Sequence, residues 1–243
     1  MNIIQLKKDM RADAEKNKLE VPKINYGTAV WGLGARRLAW RVSGHYGKAT
    51  TNKNALWRHF HPLTFGQIAV RVARAKVGVH EIGDSNTGKW VDIFLHAVYL
   101  PGGYAWCAAF AIWDQIRAAI INDILDDTKD DYNKLRNIMH DLFYGNAAYV
   151  PNLARAFREG RKAHGWQAKK VDWSDVQAGD IIICYHGGHV EVSTGPVRNS
   201  RVPTIGGNTS TSGSQANGGE VCIKSRTIGY EATSAGRIIP PKS

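Results

Sequence analysis

The chain has 243 residues, 43% of them hydrophobic. That is enough for one large domain, or a domain of moderate size with an appendage, and it excludes wholesale disorder. No apolar run approaches the roughly 18 residues of a membrane span, so a soluble protein without a span is expected. The formal net charge is +11, and its uneven placement is the first feature along the chain.

Residues 1–65 carry 12 Lys and Arg against 4 Asp and Glu. From Val21 to His80 there is no acidic residue at all. A solvated surface normally mixes signs, so residues 21–80 are expected to attract a polyanion: anionic envelope polymers, lipid headgroups or nucleic acid. Charge serving solubility alone is the plainer alternative. The opening MNIIQLKKDMRADAEKNK lacks the apolar block and cleavage site of a secretory signal. Residues 3–20 read as a short polar helix ending before Pro22. Residues 25–62 are rich in Gly, Trp and His and show no clean period. They contain Trp31, Arg36, Arg37, Trp40, Arg41, Trp57 and Arg58, types compatible with base stacking plus phosphate contact. His59 and His61 have no partner carboxylate nearby and make a weak metal pair.

A second region begins near residue 66. Thr64 is an N-cap for a helix in which Ile68, Val72, Ala75 and Val79 fall at helical spacing. A loop, EIGDSNTG, precedes a second helical stretch, KWVDIFLHAVYL. Residues 105–121, AWCAAFAIWDQIRAAII, are apolar on nearly every face and read as a buried helix. Residues 122–146 are polar and acidic, with Leu135, Ile138, Met139 and Leu142 at helical spacing, and read as an inserted helical hairpin or lid-like excursion. Another short helix is expected over 152–163. After Gly179 the pattern changes to short β-rich runs: DIIICYHG, HVEVSTGP, VPTIGGNT, GEVCIKSRTIG and GRIIP. Helices first and an antiparallel sheet after them make the fold class α+β.

Three cysteines, Cys107, Cys184 and Cys222, are too few for a disulfide framework and lack CxxC spacing for zinc. A reducing compartment is expected for the chain as made. Cys107 opens the buried helix, where the helix N-terminus favours a thiolate. Ala108 and Ala109 leave room beside the sulfur, and the N–H groups of this turn can serve as an oxyanion hole. His189 follows Gly187 and Gly188 and opens a strand. Asn208, after Gly206 and Gly207, lies on the next strand, where its amide can accept the imidazole N–H. Thiol, base and orienting group are the parts of a cysteine hydrolase. Singly, each has a duller reading: an inert core thiol, a turn histidine, a turn asparagine. Cys184 and Cys222 read as core.

Four separated motifs together resemble the CHAP domain, the cysteine, histidine-dependent amidohydrolase/peptidase of bacterial and phage cell-wall hydrolases. They are AKVGVHEIGDSNTGKWV (75–91), YAWCAAFAIW (104–113), VQAGDIIICYHGGHVEVSTG (176–195), and TIGGNTS (204–210) followed by NGGEVCIKSRT (217–227). The resemblance covers about residues 66–240. It implies a papain-like fold for a catalytic domain over 66–243 with a helical insertion at about 122–146, beside a basic region over 1–65. It makes Cys107 the nucleophile, His189 the base and Asn208 the motif asparagine. Glu81, Trp106 and Glu191 are assigned to substrate binding. Two departures stand out. Many relatives carry a glutamate where this chain has Gly206, and often a glycine where it has Glu191. Residues i and i+2 of a strand share a face, so Glu191 can lie beside His189 and assist it or a substrate amine. The alternative is a solvent-facing carboxylate. Glu81, Asp84, Asn86 and Asp92 could gather oxygens for calcium, but EF-hand spacing is absent, so no metal and no cofactor are expected.

The expected activity is therefore hydrolysis of peptidoglycan, at the lactyl–L-alanine amide or within the stem or bridge peptides. The expected setting is a monomeric phage lytic enzyme made in the host cytoplasm that then reaches the cell wall or periplasm; a virion-associated lysin or delivered toxin needs the same residues. The rivals are a nucleic-acid or virion-interaction role centred on the basic N-terminal region, and a non-catalytic peptidoglycan-binding module.

Overall fold

The computed structural model describes residues 63–121, 129–210 and 218–241. The expectations for the N-terminal helix, the aromatic and basic residues 25–62, and His59 and His61 lie outside the described residues. Among the described residues five helices precede the sheet: α1 (Phe65–Arg74), α2 (Lys89–Ala97), α3 (Cys107–Ile121), α4 (Lys129–Leu142) and α5 (Val150–Glu159). Seven strands follow: β1 (Lys162–Ala163), β2 (Trp166–Val171), β3 (Ile181–Cys184), β4 (His189–Ser193), β5 (Arg201–Thr209), β6 (Glu220–Thr227) and β7 (Ala232–Ile239). They form one sheet in the order β1-β2-β7-β3-β4-β5-β6, with every pairing antiparallel. The class is α+β.

Thr64 caps α1 with a reciprocal pair. Its hydroxyl accepts from the Gln67 N–H at 3.2 Å, and the Gln67 side chain accepts from the Thr64 N–H at 2.9 Å. Two orphan donors of the first turn are thereby satisfied. Arg71 and Arg74 lie in the last turn, where they complement the helix dipole. The helix stops at Arg74, so Ala75 and Val79 fall beyond it.

Helix α3 is buried along its whole length, including Asp114, Gln115 and Arg117. It packs on α1, α2 and α4 and on β4 and β5. The alanines at 108, 109, 111, 118 and 119 make this approach from several sides possible without large side chains. An aromatic cluster of Trp90, Phe94, Trp106, Phe110 and Trp113 surrounds its N-terminal half, with ring centroids 4.9 to 6.1 Å apart. Such pairs add about 0.5–1.5 kcal/mol each beyond area burial. This cluster anchors the end of α3 that begins with Cys107.

Two segments differ from the sequence expectation. Helix α4 is not a lid-like excursion: Leu135, Met139, Leu142 and the following Phe143 are buried in the main core. Its i, i+4, i+7 stripe needs an apolar partner, and the central helix supplies it. The helix expected over 152–163 ends at Glu159, with Gly160 as a left-handed cap at φ 65°. Residues 162–171 instead form a hairpin pairing Ala163 with Trp166. Its two turn residues, His164 and Gly165, have φ 51° and 80°, the handedness that suits a two-residue β-turn. None of the described helices is long and apolar enough to cross a membrane.

Candidate active site

Cys107 is the first residue of α3, and the carbonyl of Trp106 accepts the Phe110 N–H at 2.9 Å. The thiol therefore sits over the positive end of a 15-residue helix. Strand β4 packs against that end of α3. His189 opens β4, opposite Cys184 of β3. The chain reaches it through Tyr185, His186 and Gly187 at φ 50°, 54° and 97°. Two consecutive non-glycine residues in the left-handed region cost energy that the surroundings must offset. Here they reverse the chain tightly enough to place the imidazole at the sulfur.

The imidazole uses both nitrogens. His189 Nε2 lies 3.2 Å from Glu191 Oε1, which leaves Nδ1 for the hydrogen bond that His189 makes with Cys107. Glu191 stands two residues along β4 and so on the same face. Its side chain is 0% exposed, and its carboxylate is fully occupied. Oε1 accepts from His189 and from Arg226 Nη2; Oε2 accepts from Arg226 Nε at 2.9 Å and from the Thr204 hydroxyl at 2.5 Å. Gly206, beside it on β5, makes the space: a Cβ there would lie 2.8 Å from Glu191 Cγ. Position 206 thus carries no carboxylate, and Glu191 of the neighbouring strand occupies the space beside it.

The electrostatics follow from burial and pairing. Burial alone would push the Cys107 thiol up, but the hydrogen bond and charge of His189, with backbone N–H groups of Val190 and Ala108, bring it below its ordinary value. Burial would lower His189, yet Cys107 and Glu191 raise it to about 9. Burial would raise Glu191, yet His189 and Arg226 hold it at about 2. A thiolate beside an imidazolium beside a carboxylate is the state these shifts favour. Burial pushes the other two thiols, Cys184 and Cys222, upward, consistent with inert core positions.

Three expected roles need correction. Asn208 makes no hydrogen bond to His189 among the described residues; Glu191 holds that nitrogen. Asn208 sits at φ 52° in a bulge of β5, where pairing skips from Gly206–Cys222 to Thr209–Glu220. The bulge rests on the start of α3, since a Cβ on Gly207 would fall 2.5 Å from the Trp106 ring. Trp106 was expected to bind substrate, but its side chain is 0% exposed, stacked against Phe94 at 5.8 Å. A fully buried indole offers substrate no face. Glu191 is likewise neither solvent-facing nor open to a substrate amine. Glu81 is partly buried; its Oε2 accepts from Trp106 Nε1 at 3.2 Å and its N–H bonds Gly219. It braces the indole behind Cys107.

Arg226, Thr204 and Tyr185 escaped the sequence reading. The alternation of β6 carried a usable signal: Cys222, Lys224 and Arg226 share the inward face, and a buried arginine calls for a carboxylate. Among the described residues no group of three or more His, Cys, Asp or Glu is placed to hold a metal ion. No family model matches the chain, and no curated protein or solved structure matches it.

Proposed function

We propose that this chain is a cysteine-dependent peptidoglycan hydrolase of the CHAP kind, cleaving an amide bond of the cell-wall peptide. The observation that carries the hydrolase reading is the buried line of Cys107, His189 and Glu191 at the positive end of α3. A core thiol has no use for an imidazole, and a wall-binding module has no use for an activated thiol. The wall peptide as substrate rests on the four motifs alone. The papain-like layout is part of the same proposal: a helix-borne cysteine packed on an antiparallel sheet that carries the histidine.

The chemistry such a site performs is acyl transfer. The Cys107 thiolate attacks the amide carbonyl carbon, and the oxygen takes the displaced electron pair. In this reading N–H groups of the first turn of α3 stabilise that oxyanion. The imidazolium of His189 gives its Nδ1 proton to the leaving nitrogen, the C–N bond breaks and the amine departs. His189, now neutral, takes a proton from water as the water attacks the thioester. Collapse expels the thiolate and releases the acid. Glu191 fixes the ring and supports its charge throughout.

The same reading places the protein as a phage lytic enzyme that acts on the wall or periplasm, with residues 21–80 on anionic envelope polymers. Digestion of purified peptidoglycan by wild type and Cys107→Ala, with mass spectrometry of the products, tests it. Cysteine-dependent release of whole stem peptides identifies an amidase; cut stems or bridges identify an endopeptidase. Absence of cysteine-dependent products from several wall types overturns the reading.

A further inference from the structure

We propose that Arg226 is a positioning residue of this site: its guanidinium clamps Glu191 as an ionised, correctly aimed carboxylate and thereby keeps Cys107 and His189 as a charged pair. The inference rests on the catalytic reading of those two residues. It adds a residue on β6 that acts through Glu191.

A carboxylate with 0% exposure has no water to support its charge. Left alone it becomes neutral, because desolvation disfavours the ion. Glu191 accepts four hydrogen bonds, and two come from Arg226. The other two come from His189 and the neutral Thr204 hydroxyl. Among the described residues Arg226 is thus the only full positive charge hydrogen-bonded to Glu191 besides the imidazolium whose charge Glu191 is needed to support. The planar fork also fixes the plane of the carboxylate, and with it the direction in which Oε1 meets His189.

Arg226 is itself held. Its side chain is 3% exposed. Nη1 donates to Tyr185 Oη at 2.9 Å and to Glu231 Oε1 at 3.2 Å. Glu231 in turn accepts from Tyr185 Oη at 3.2 Å and from the Thr227 N–H at 2.8 Å. Charges alternate along the line Cys107, His189, Glu191, Arg226, Glu231, from the helix end to the β6–β7 turn. The other titratable groups facing it among the described residues include the thiols of Cys184 and Cys222, both pushed upward by burial, Lys224 on the same face of β6, and Arg201, 3.8 Å from Glu231. Tyr185 closes a loop: it belongs to the strained turn that delivers His189, and it bonds the residues that aim Glu191.

The test reads the thiol directly. Alkylation of Cys107 by iodoacetamide is followed by peptide mass spectrometry from about pH 4 to about pH 10, where the rate tracks the thiolate. Wild type is expected to keep a plateau well into acid. Arg226→Gln should move the acid limb up by about one pH unit or more, as protonation of Glu191 enters the range. Glu191→Gln should give a similar profile, and the double variant should add nothing to either single one. Arg226→Lys, which keeps the charge but loses the fork, should fall between, and it serves if Arg226→Gln does not fold. A folded Arg226→Gln or Arg226→Lys with the wild-type limb overturns the clamp while leaving the hydrolase reading intact. A wild-type Cys107 that titrates as an ordinary thiol overturns both. Shifted limbs in a protein that releases no wall fragments support the clamp and remove only the wall substrate.

Discussion

His189 and Glu191 stand two residues apart on β4, and the 3.2 Å contact between Nε2 and Oε1 is buried, with side-chain exposures of 3% and 0%. The strand period puts both side chains on one face, shared with Ile182 and Cys184 of β3, while the alternating Val190 and Val192 join the core around α3. No loop has to be positioned to bring base and carboxylate together, so their geometry is as rigid as the strand.

The first prediction separates Glu191 from Asn208. Glu191→Gln keeps the shape but removes the acceptor charge that fixes the imidazole tautomer. Hydrolysis should fall by up to about 10⁴-fold, the loss seen when a buried carboxylate behind a catalytic histidine becomes an amide. Asn208→Ala should cost less than about tenfold, because no hydrogen bond joins Asn208 to His189. Rates on one soluble muropeptide decide it. The reverse order of losses returns the orienting role to Asn208.

The pH profile follows from the two shifts. Cys107 lies below its usual value and His189 is raised to about 9. Between them the thiolate–imidazolium pair predominates, so activity should be flat across neutral pH. It should decline as pH rises through about 9, where the proton needed by the leaving amine is lost. The two limbs belong to the coupled pair rather than to either residue. Glu191 has a stability effect of the opposite sign. Held at about 2 against an ordinary 4.5, it stabilises the fold fully above the ordinary value. That stability drains away as pH falls toward about 2. Initial rates across pH, beside thermal melts in acid, check both statements.

Gly206 tests the packing beneath the carboxylate. A Cβ there would lie 2.8 Å from Glu191 Cγ and 2.9 Å from Oε1, so Gly206→Ala must displace the side chain that aims His189. Overpacking of this kind costs about 1–3 kcal/mol. Activity should fall at least as far as in Glu191→Gln while the protein still folds. An active Gly206→Ala enzyme would show that the aim of Glu191 tolerates displacement.

Helix α4 gives a prediction about the fold. Leu135 is fully buried against the central core, so Leu135→Ala should lower stability by about 2–5 kcal/mol in a denaturant titration. A surface lid would lose almost nothing.

What the sequence disclosed is uneven for physical reasons. The Thr64 cap, the buried helix from Cys107 and the strands from Ile181 onward carry local signals, namely capping chemistry, apolar composition and alternation, and each lies where those signals put it. The β1–β2 hairpin was missed because WQAKKV alternates weakly and its turn, His164–Gly165, lacks the usual Asn or Asp. Helix α4 looked like an excursion because its polar face dominates the composition and its partner lies elsewhere in the chain. At the site, Cys107 and His189 were legible one by one. The carboxylate was not: Glu191 lies on the face opposite the valines that pack around α3, and whether that face is covered or meets solvent is set by long-range packing. Arg226, 35 residues further on, shared that ambiguity.

Trp106 gives the last prediction, because a substrate contact and a buried brace fail in different ways. Its indole is enclosed by Phe94, Phe110 and the Gly207 backbone, and its N–H reaches Glu81 at 3.2 Å. Trp106→Phe removes that hydrogen bond and opens a small cavity, so stability should drop by about 1–3 kcal/mol. The KM for a soluble muropeptide should hold within about twofold, since no ring face is available to substrate. Glu81→Gln keeps an acceptor for the indole and should lose less stability than Trp106→Phe. A Trp106→Phe protein with native stability and a several-fold higher KM would mean instead that the indole becomes accessible when substrate binds, returning Trp106 to the binding surface.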